Sequence, residues 1–159
     1  VRRDQVLGEY TFGTSPSGGP LTSTSPFRMA SVSKVLTAIT VLQLAEEGRI
    51  DLDRTLAEQW TGRFAVTDAR VQAITVRELL QHTSGMPPMK NTFFVDGGIT
   101  WHQAADLAIA AELLYDPGTG YRYSNANYVL LGRLVEQVVH LGECGSGVHH
   151  GKSSLRGNG

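Results

Sequence analysis

The chain has 159 residues and a formal net charge of −1, and 41% of its residues are hydrophobic while 18% are charged. This length and composition fit one globular domain with a core of useful size. The near-neutral charge gives no electrostatic reason to expect nucleic acid or an anionic membrane as a partner. The apolar run from Val35 to Ala45 is shorter than the ~20 residues that span a bilayer, so we expect no membrane span.

The N-terminal third is predicted to contain one strand, one loop and one long helix. Residues 5–12 are rich in β-forming side chains and predict a strand, and the Gly/Ser/Pro-rich residues 13–26 predict a loop. A long buried helix follows and is expected to end at Gly48, a good C-cap residue. A turn and a short helix over residues 49–60 come next. The core residues predicted in that segment are Ile50, Leu52 and Leu56.

Two capping boxes mark the start of later helices. Thr75 with Glu78 predicts a short helix that runs into a turn over residues 82–88. Thr100 with Gln103 predicts a helix that continues to about Tyr115. A further helix is expected over residues 127–139. Its predicted buried side consists of Val129, Leu130, Leu134 and Val138.

The last part of the chain has a different composition. Residues 142–159 contain six glycines and few apolar side chains. Such a segment buries too little surface to offset the entropy of ordering it, so we expect disorder. We therefore divide the chain into a domain over residues 1–139 and a Gly/Ser/His-rich tail over residues 140–159.

Ser31 and Lys34 form a Ser-x-x-Lys pair at the start of the long helix. Residues three apart on a helix lie on nearly the same face, so the Ser31 hydroxyl and the Lys34 amine can meet. A neutral amine that takes the hydroxyl proton turns serine into a usable nucleophile. Lys34 falls on a face of small apolar residues, and burial and the helix dipole both favour its neutral form. The alternative is an ordinary N-cap serine followed by a lysine that extends to solvent.

Tyr123-Ser124-Asn125 follows a Pro117–Gly120 turn and precedes a helix. A loop tyrosine beside a cation can relay a proton, and the Asn125 amide can hold a substrate carbonyl. The alternative is a surface tyrosine followed by an asparagine cap, and this motif alone does not exclude it.

Three segments occur in one order along the chain: Ser31 to Lys34, Leu79 to Pro87, and Pro117 to Tyr128. Together they closely resemble the serine β-lactamase-related family, which includes class C β-lactamases, D-alanyl-D-alanine carboxypeptidases, D-aminopeptidases and related esterases. The order, spacing and flanking residues all match, and the resemblance covers roughly residues 5–139.

The resemblance implies an α+β fold, namely the N-terminal part of a β-lactamase/transpeptidase-like fold in which an antiparallel sheet packs with helices. It implies that Ser31 attacks an acyl carbonyl to give an acyl-enzyme. Lys34 and Tyr123 would share the proton transfer, and which of them is the base stays open. Asn125 would orient the substrate, which is a β-lactam, a D-Ala peptide or a carboxylic ester. The family implies no metal or organic cofactor, and it favours a periplasmic or secreted location.

The resemblance stops after Val139. Family members continue to a late strand that carries a third motif, Lys-Thr-Gly or His-x-Gly, and no such strand is predicted here. His149-His150-Gly151 spells His-x-Gly, but it comes too soon after Tyr123 and has no strand pattern. We therefore expect an incomplete fold, as in a truncated or frame-shifted gene product, with the long helix partly uncovered.

Two other functions stay open beside the hydrolase. The chain can be a catalytically inactive, truncated remnant of such an enzyme, because a hydrated Lys34 would no longer act as a base. The tail can also bind a metal, although its spacing fits none of the usual zinc patterns. The candidate ligands there are His140, Cys144, His149 and His150. We expect His82 to be a hydrogen-bonded turn residue and His102 to be a surface residue.

Overall fold

Helices account for most of the regular structure in the computed structural model, which describes residues 5, 8–89 and 99–145, with side chains up to residue 140. The chain divides into two compact units, Val1–Ser33 and Lys34–Gly159, and each is described by itself. The α-helices are α1 (Ser33–Glu46), α2 (Leu56–Gln59), α3 (Val76–Gln81), α4 (Trp101–Ile109) and α5 (Asn125–Gly145). Two 3-10 helices span Ala30–Val32 and Ala69–Ala73.

The first unit contains a tight reversal of the chain within the predicted loop. An antiparallel bridge pairs Thr14 with Pro20. Inside this bridge the Ser15 N–H donates a hydrogen bond to the Gly19 carbonyl oxygen at 2.8 Å. The loop predicted from its Gly/Ser/Pro content is therefore confirmed.

The strand predicted over residues 5–12 is not found in residues 8–12, where the backbone is irregular. Residues 6 and 7 of this prediction lie outside the described residues. Tyr10 is 97% exposed and Phe12 is fully exposed. The prediction is wrong over residues 8–12 because strand propensity mostly reflects packing against neighbours, and these side chains are not buried.

Capping boxes begin three helices of the second unit. The predicted boxes of Thr75 with Glu78 and Thr100 with Gln103 are confirmed, and each threonine oxygen accepts the N3 backbone N–H at 3.2 Å. A third box, which we did not predict, joins Thr55 and Glu58 at the start of α2. Each box satisfies two N–H groups that a helix start leaves unpaired, and so fixes where the helix begins.

The segment between α1 and α2 follows the prediction. Gly48 has a φ of +69°, a left-handed conformation that favours glycine, just after the end of α1. Ile50 and Leu56 are buried, and Leu52 packs against the core from a partly buried position. The predicted C-cap region and core residues are therefore confirmed.

The core of the second unit is built around α4 and α5, and α3 also packs on α5. Trp101 lies against Gly132, where an added Cβ would come within 2.8 Å of Trp101 Cζ2. Gly132 therefore leaves the space that the indole ring occupies between the two helices. The buried apolar side chains of α5 are Ala126, Val129, Leu130, Leu131 and Leu134.

Helix α1 is not the buried helix that its apolar run predicts, and it is partly uncovered, as we expected for an incomplete fold. Val41 and Leu44 are its buried side chains, whereas Leu36 is 56% exposed and Leu42 is 46% exposed. The face that carries Lys34 is the covered one, since Val41 lies on it and Lys34 is half-buried. The prediction of a buried helix is wrong for the other apolar residues because no strand among the described residues covers them.

Helix α4 ends at Ile109 and not near Tyr115 as predicted. The chain after it bends, and two side chains at the start of the 3-10 helix Ala69–Ala73 hold the bend. Leu113 N–H donates to Asp68 Oδ2 at 3.0 Å, and Arg70 Nη2 donates to the Leu113 carbonyl oxygen at 2.9 Å. These bonds replace helical ones, so the helix stops early.

Helix α5 is longer than predicted at both ends, since it begins at Asn125 and continues to Gly145. Gly142 does not end it, because one glycine costs a helix only about 1 kcal/mol relative to alanine. The helix therefore passes the predicted boundary at Val139. Residues 146–159 lie outside the described residues, and the division into residues 1–139 and 140–159 stays a prediction.

Strand structure in the described residues is limited to isolated bridges, which include Thr14–Pro20 and Thr55–Thr75. The antiparallel sheet implied by the family resemblance therefore stays a prediction. In the part of the chain that the structure describes, no helix is both long and apolar enough to cross a membrane.

Candidate active site

Ser31 is exposed and lies in the 3-10 helix Ala30–Val32, immediately before α1. We expected Ser31 and Lys34 on the first turn of one α-helix, and this is wrong because α1 begins at Ser33. Short 3-10 segments are common at the starts of α-helices. Ala30 has a φ of +45°, which residues with a side chain rarely adopt. Backbone strain of this kind clusters at functional turns and supports Ser31 as a candidate nucleophile.

The second unit brings Lys34 and Tyr123 together. Lys34 Nζ lies 5.0 Å from the ring centroid of Tyr123 and 5.8 Å from that of Tyr128. An ammonium group over an aromatic face is attracted by the negative face of the ring. The two residues that we predicted to share proton transfer are therefore neighbours, although they come from distant parts of the sequence.

Asn125 is half-buried and is the first residue of α5. The cap at this helix start is Ser124, whose Oγ accepts the Ala126 N–H at 3.1 Å. Ser124 Oγ also donates to the Pro87 carbonyl oxygen at 2.6 Å. The alternative interpretation, in which Asn125 serves as the cap, is therefore wrong.

His82 ends α3 in a left-handed conformation, with φ +61° and ψ +33°. Its ring is buried, and its centroid lies 4.6 Å from that of Tyr123 and 5.2 Å from that of Tyr128. The Nδ1 atom accepts the Ser124 N–H at 3.2 Å, and it lies 2.9 Å from Asn127 Nδ2. The prediction of a hydrogen-bonded turn residue is confirmed.

A buried chain of hydrogen bonds continues from His82 through Asn127 to the turn after α3. Ser84 Oγ donates to Asn127 Oδ1 at 2.7 Å and accepts the Met86 N–H at 3.2 Å. Both Ser84 and Asn127 are fully buried. The network joins the motif segments Leu79 to Pro87 and Pro117 to Tyr128. Their buried polar groups have no access to water and therefore form hydrogen bonds with one another.

Burial and nearby charges shift two acid–base equilibria in this cluster. Burial lowers the pKa of His82 below its ordinary value of 6.5, and the neighbouring Lys34 lowers it further. Burial also raises the pKa of Tyr128, with a smaller contribution from Tyr123. Both shifts favour neutral rings around the amine of Lys34.

Ser84, Asn127 and Tyr128 were not predicted as site residues. A usable signal was present for two of them, since Ser124, Asn127 and Tyr128 recur at helical spacing at the start of α5. Exposed His102 pairs with Glu136 at 3.1 Å, which confirms it as a surface residue.

No group of three or more His, Cys, Asp or Glu side chains that could hold a metal ion occurs among the described residues. His149 and His150 of the proposed tail site lie outside them, so that hypothesis is not tested here.

Solved structures similar to this chain define its class as a β-lactamase/transpeptidase-like fold. The D-stereospecific amidohydrolase from Streptomyces sp. is 35% identical with a TM-score of 0.62, over 72% of this chain and 37% of that one. The D-amino acid amidase from Ochrobactrum anthropi SV3 is 26% identical with a TM-score of 0.64, over 78% of this chain and 34% of that one.

The sequence comparisons agree with the fold. Penicillin-binding protein 4* of Bacillus subtilis (strain 168) is 32% identical over 144 residues, which are 83% of this chain and 30% of that protein. The Beta-lactamase family model matches residues 1–143. The chain belongs to the Beta-lactamase family, and the resemblance inferred from the three motif segments is confirmed. The chain spans about 30% of the length of the curated relatives that match it.

Proposed function

We propose that the chain carries the nucleophile and the proton-transfer groups of a serine hydrolase that acts on amide or ester acyl substrates. The observation that supports this best is the approach of Lys34 Nζ to the Tyr123 ring at 5.0 Å. The family resemblance implies that the amine of Lys34 and the phenol of Tyr123 share the proton transfer, and this contact brings the two side chains together.

The reaction runs through an acyl-enzyme. Ser31 Oγ attacks the acyl carbonyl carbon while its proton passes to the neutral amine of Lys34 or to a phenolate oxygen of Tyr123. The tetrahedral adduct then expels an amine or alcohol, which takes up that proton. Water hydrolyses the remaining Ser31 ester, restores the hydroxyl and releases the acid. The Asn125 amide orients the substrate by hydrogen bonds to its amide or ester group.

The names of the relatives indicate the class of substrate. One similar structure is a D-stereospecific amidohydrolase, another is a D-amino acid amidase, and the curated relative is a penicillin-binding protein. We propose an acyl donor of the same kind, namely a β-lactam, a peptide that ends in D-Ala or a simple ester. The alternative function is a catalytically inactive, truncated remnant that keeps these residues without turnover.

The test is covalent labelling of the purified chain. The chain is incubated with a fluorophosphonate and, separately, with a penicillin, and the intact mass is recorded. We expect one adduct per chain, and we expect it to be absent in Ser31→Ala. Ser33→Ala is the matched control, because it removes a neighbouring hydroxyl at the same helix start and should label like the parent.

Two further variants test whether both residues take part in the proton transfer. Lys34→Met and Tyr123→Phe should each slow labelling about 10²- to 10⁴-fold, which is the usual worth of a positioned acid or base. An adduct that persists in Ser31→Ala would contradict the nucleophile. A folded chain that forms no adduct with either reagent would favour the inactive remnant.

A further inference from the structure

The state of protonation of His82 can be derived from its hydrogen bonds. A backbone N–H can only donate, so the bond from Ser124 N–H means that Nδ1 carries no proton. The orientation of the Asn127 amide agrees with this. Its Oδ1 accepts the Ser84 hydroxyl, so the atom that faces His82 Nδ1 is the Nδ2 donor. The ring is therefore the neutral tautomer with its proton on Nε2.

These bonds constrain Tyr123 directly. Ser124 follows Tyr123 in the chain, so the bond to the Ser124 N–H fixes the peptide plane that carries Tyr123. The His82 ring lies against the Tyr123 ring at an interplanar angle of 38°, which limits its rotation. A proton on Nδ1 would break both hydrogen bonds and place a positive charge near the amine of Lys34.

We propose that His82 is a positioning residue that holds Tyr123 beside Lys34, and that it does so only as the neutral imidazole. The expected effect on labelling rests on the proposed hydrolase function, whereas the effect on the conformation of Tyr123 does not.

The titratable side chains around the His82 ring are consistent with a neutral imidazole. Lys34 approaches from α1, Tyr121 and Tyr123 from the segment before α5, and Tyr128 from α5 itself. None of these is an anion that would favour an imidazolium. Burial and, to a smaller extent, Lys34 lower the pKa of His82 below its ordinary value, which favours the neutral ring.

A matched pair of variants separates the acceptor from the ring. His82→Asn keeps an acceptor near the position of Nδ1 and tolerates the left-handed backbone. His82→Phe keeps a ring of similar size and removes the acceptor. Histidine nitrogens are observed by NMR in the ¹⁵N-labelled full chain, and Tyr123 is observed in the ¹³C-tyrosine-labelled chain. The His82 and Tyr123 signals are assigned from the spectra of His82→Asn and Tyr123→Phe.

We expect the Nε2–H tautomer for His82 at pH 7, and a Tyr123 signal that is kept in His82→Asn and displaced in His82→Phe. If His82→Phe does not fold, the parent chain supplies the same test. Its Tyr123 signal should move on acidification with the midpoint of His82. A tautomer with the proton on Nδ1 would overturn the proposal. A Tyr123 signal that changes neither in His82→Phe nor on acidification would also overturn it.

Labelling adds a readout that a purely structural role would not change. Beside the fall caused by protonation of the base itself, the parent labelling rate should show a step at the His82 midpoint, and His82→Asn should lose this step. His82→Phe should label about 100-fold more slowly, the usual effect of a catalytic group displaced by about 1 Å. If the parent forms no adduct, the hydrolase proposal fails while the NMR result still decides the role of His82. A step that is unchanged in His82→Asn would overturn the pH-dependent part.

Discussion

His82 Nδ1 and Asn127 Nδ2 lie 2.9 Å apart, and this buried hydrogen bond joins the turn after α3 to the first turn of α5. The two segments also share main-chain bonds, since the Arg122 N–H donates to the His82 carbonyl oxygen at 2.9 Å. Tyr123 lies between these two connections along the chain. The position of the candidate phenol is therefore set by the polar network beneath it.

Asn127→Asp should raise the pKa of His82. The carboxylate cannot donate to Nδ1, and it would instead accept a proton held there, which favours the imidazolium. Ser124 N–H then loses its acceptor, so the variant should also be less stable. NMR titration of the His82 ring measures the shift, and Ser84→Ala is the control because it leaves the bonds to His82 in place. A midpoint equal to that of the parent would show that the two side chains are not coupled.

Gly85→Ala should destabilise the chain by about 2 to 4 kcal/mol. Gly85 has a φ of +80°, and an added Cβ would clash with the carbonyl oxygen of Tyr115. Gly62→Ala is the matched control, since Gly62 has a φ of +91° but open space around it. The free energies of unfolding in urea of the two variants separate the cost of a left-handed alanine backbone from the cost of the clash with Tyr115. Equal losses of stability would mean that the neighbouring loop moves aside.

Leu44→Ala should cost about 2 to 5 kcal/mol, whereas Leu36→Ala should change stability by less than about 0.5 kcal/mol. The two leucines lie on the same helix, and Leu44 is 5% exposed while Leu36 is 56% exposed. Urea unfolding midpoints of the two variants give the comparison. A large loss for Leu36→Ala would show that its face of α1 is covered in solution.

Asp68→Asn should reduce the acid sensitivity of the fold. The Arg70 guanidinium, then the Leu113 and Arg70 N–H groups, hold the pKa of Asp68 well below its ordinary value of 3.8. A carboxylate with a lowered folded-state pKa contributes stability above its unfolded pKa and loses it as the pH falls below that value. Denaturation midpoints should therefore fall less steeply below pH 4 in the variant. Asp106→Asn is the matched control, because it makes the same substitution at an exposed position of α4.

Short-range patterns predicted well wherever the interacting groups are close in sequence. The capping boxes at Thr75 and Thr100 were identified because both partners of each bond lie within four residues. Helix lengths were less accurate, since α4 ends early on bonds from Asp68 and Arg70, which lie far away in the chain. The buried helix predicted from the apolar run of α1 was wrong for a similar reason, because burial depends on which other element packs against a face.

The motif segments by themselves determined the family and the candidate residues Ser31, Lys34, Tyr123 and Asn125. Their order and spacing are properties of the chain and need no coordinates. Only the tertiary structure decided that Lys34 lies beside Tyr123 and that the His82 ring packs against that tyrosine. The physical reason is that a buried polar atom must find its partner in space, and sequence patterns extend over only a few residues.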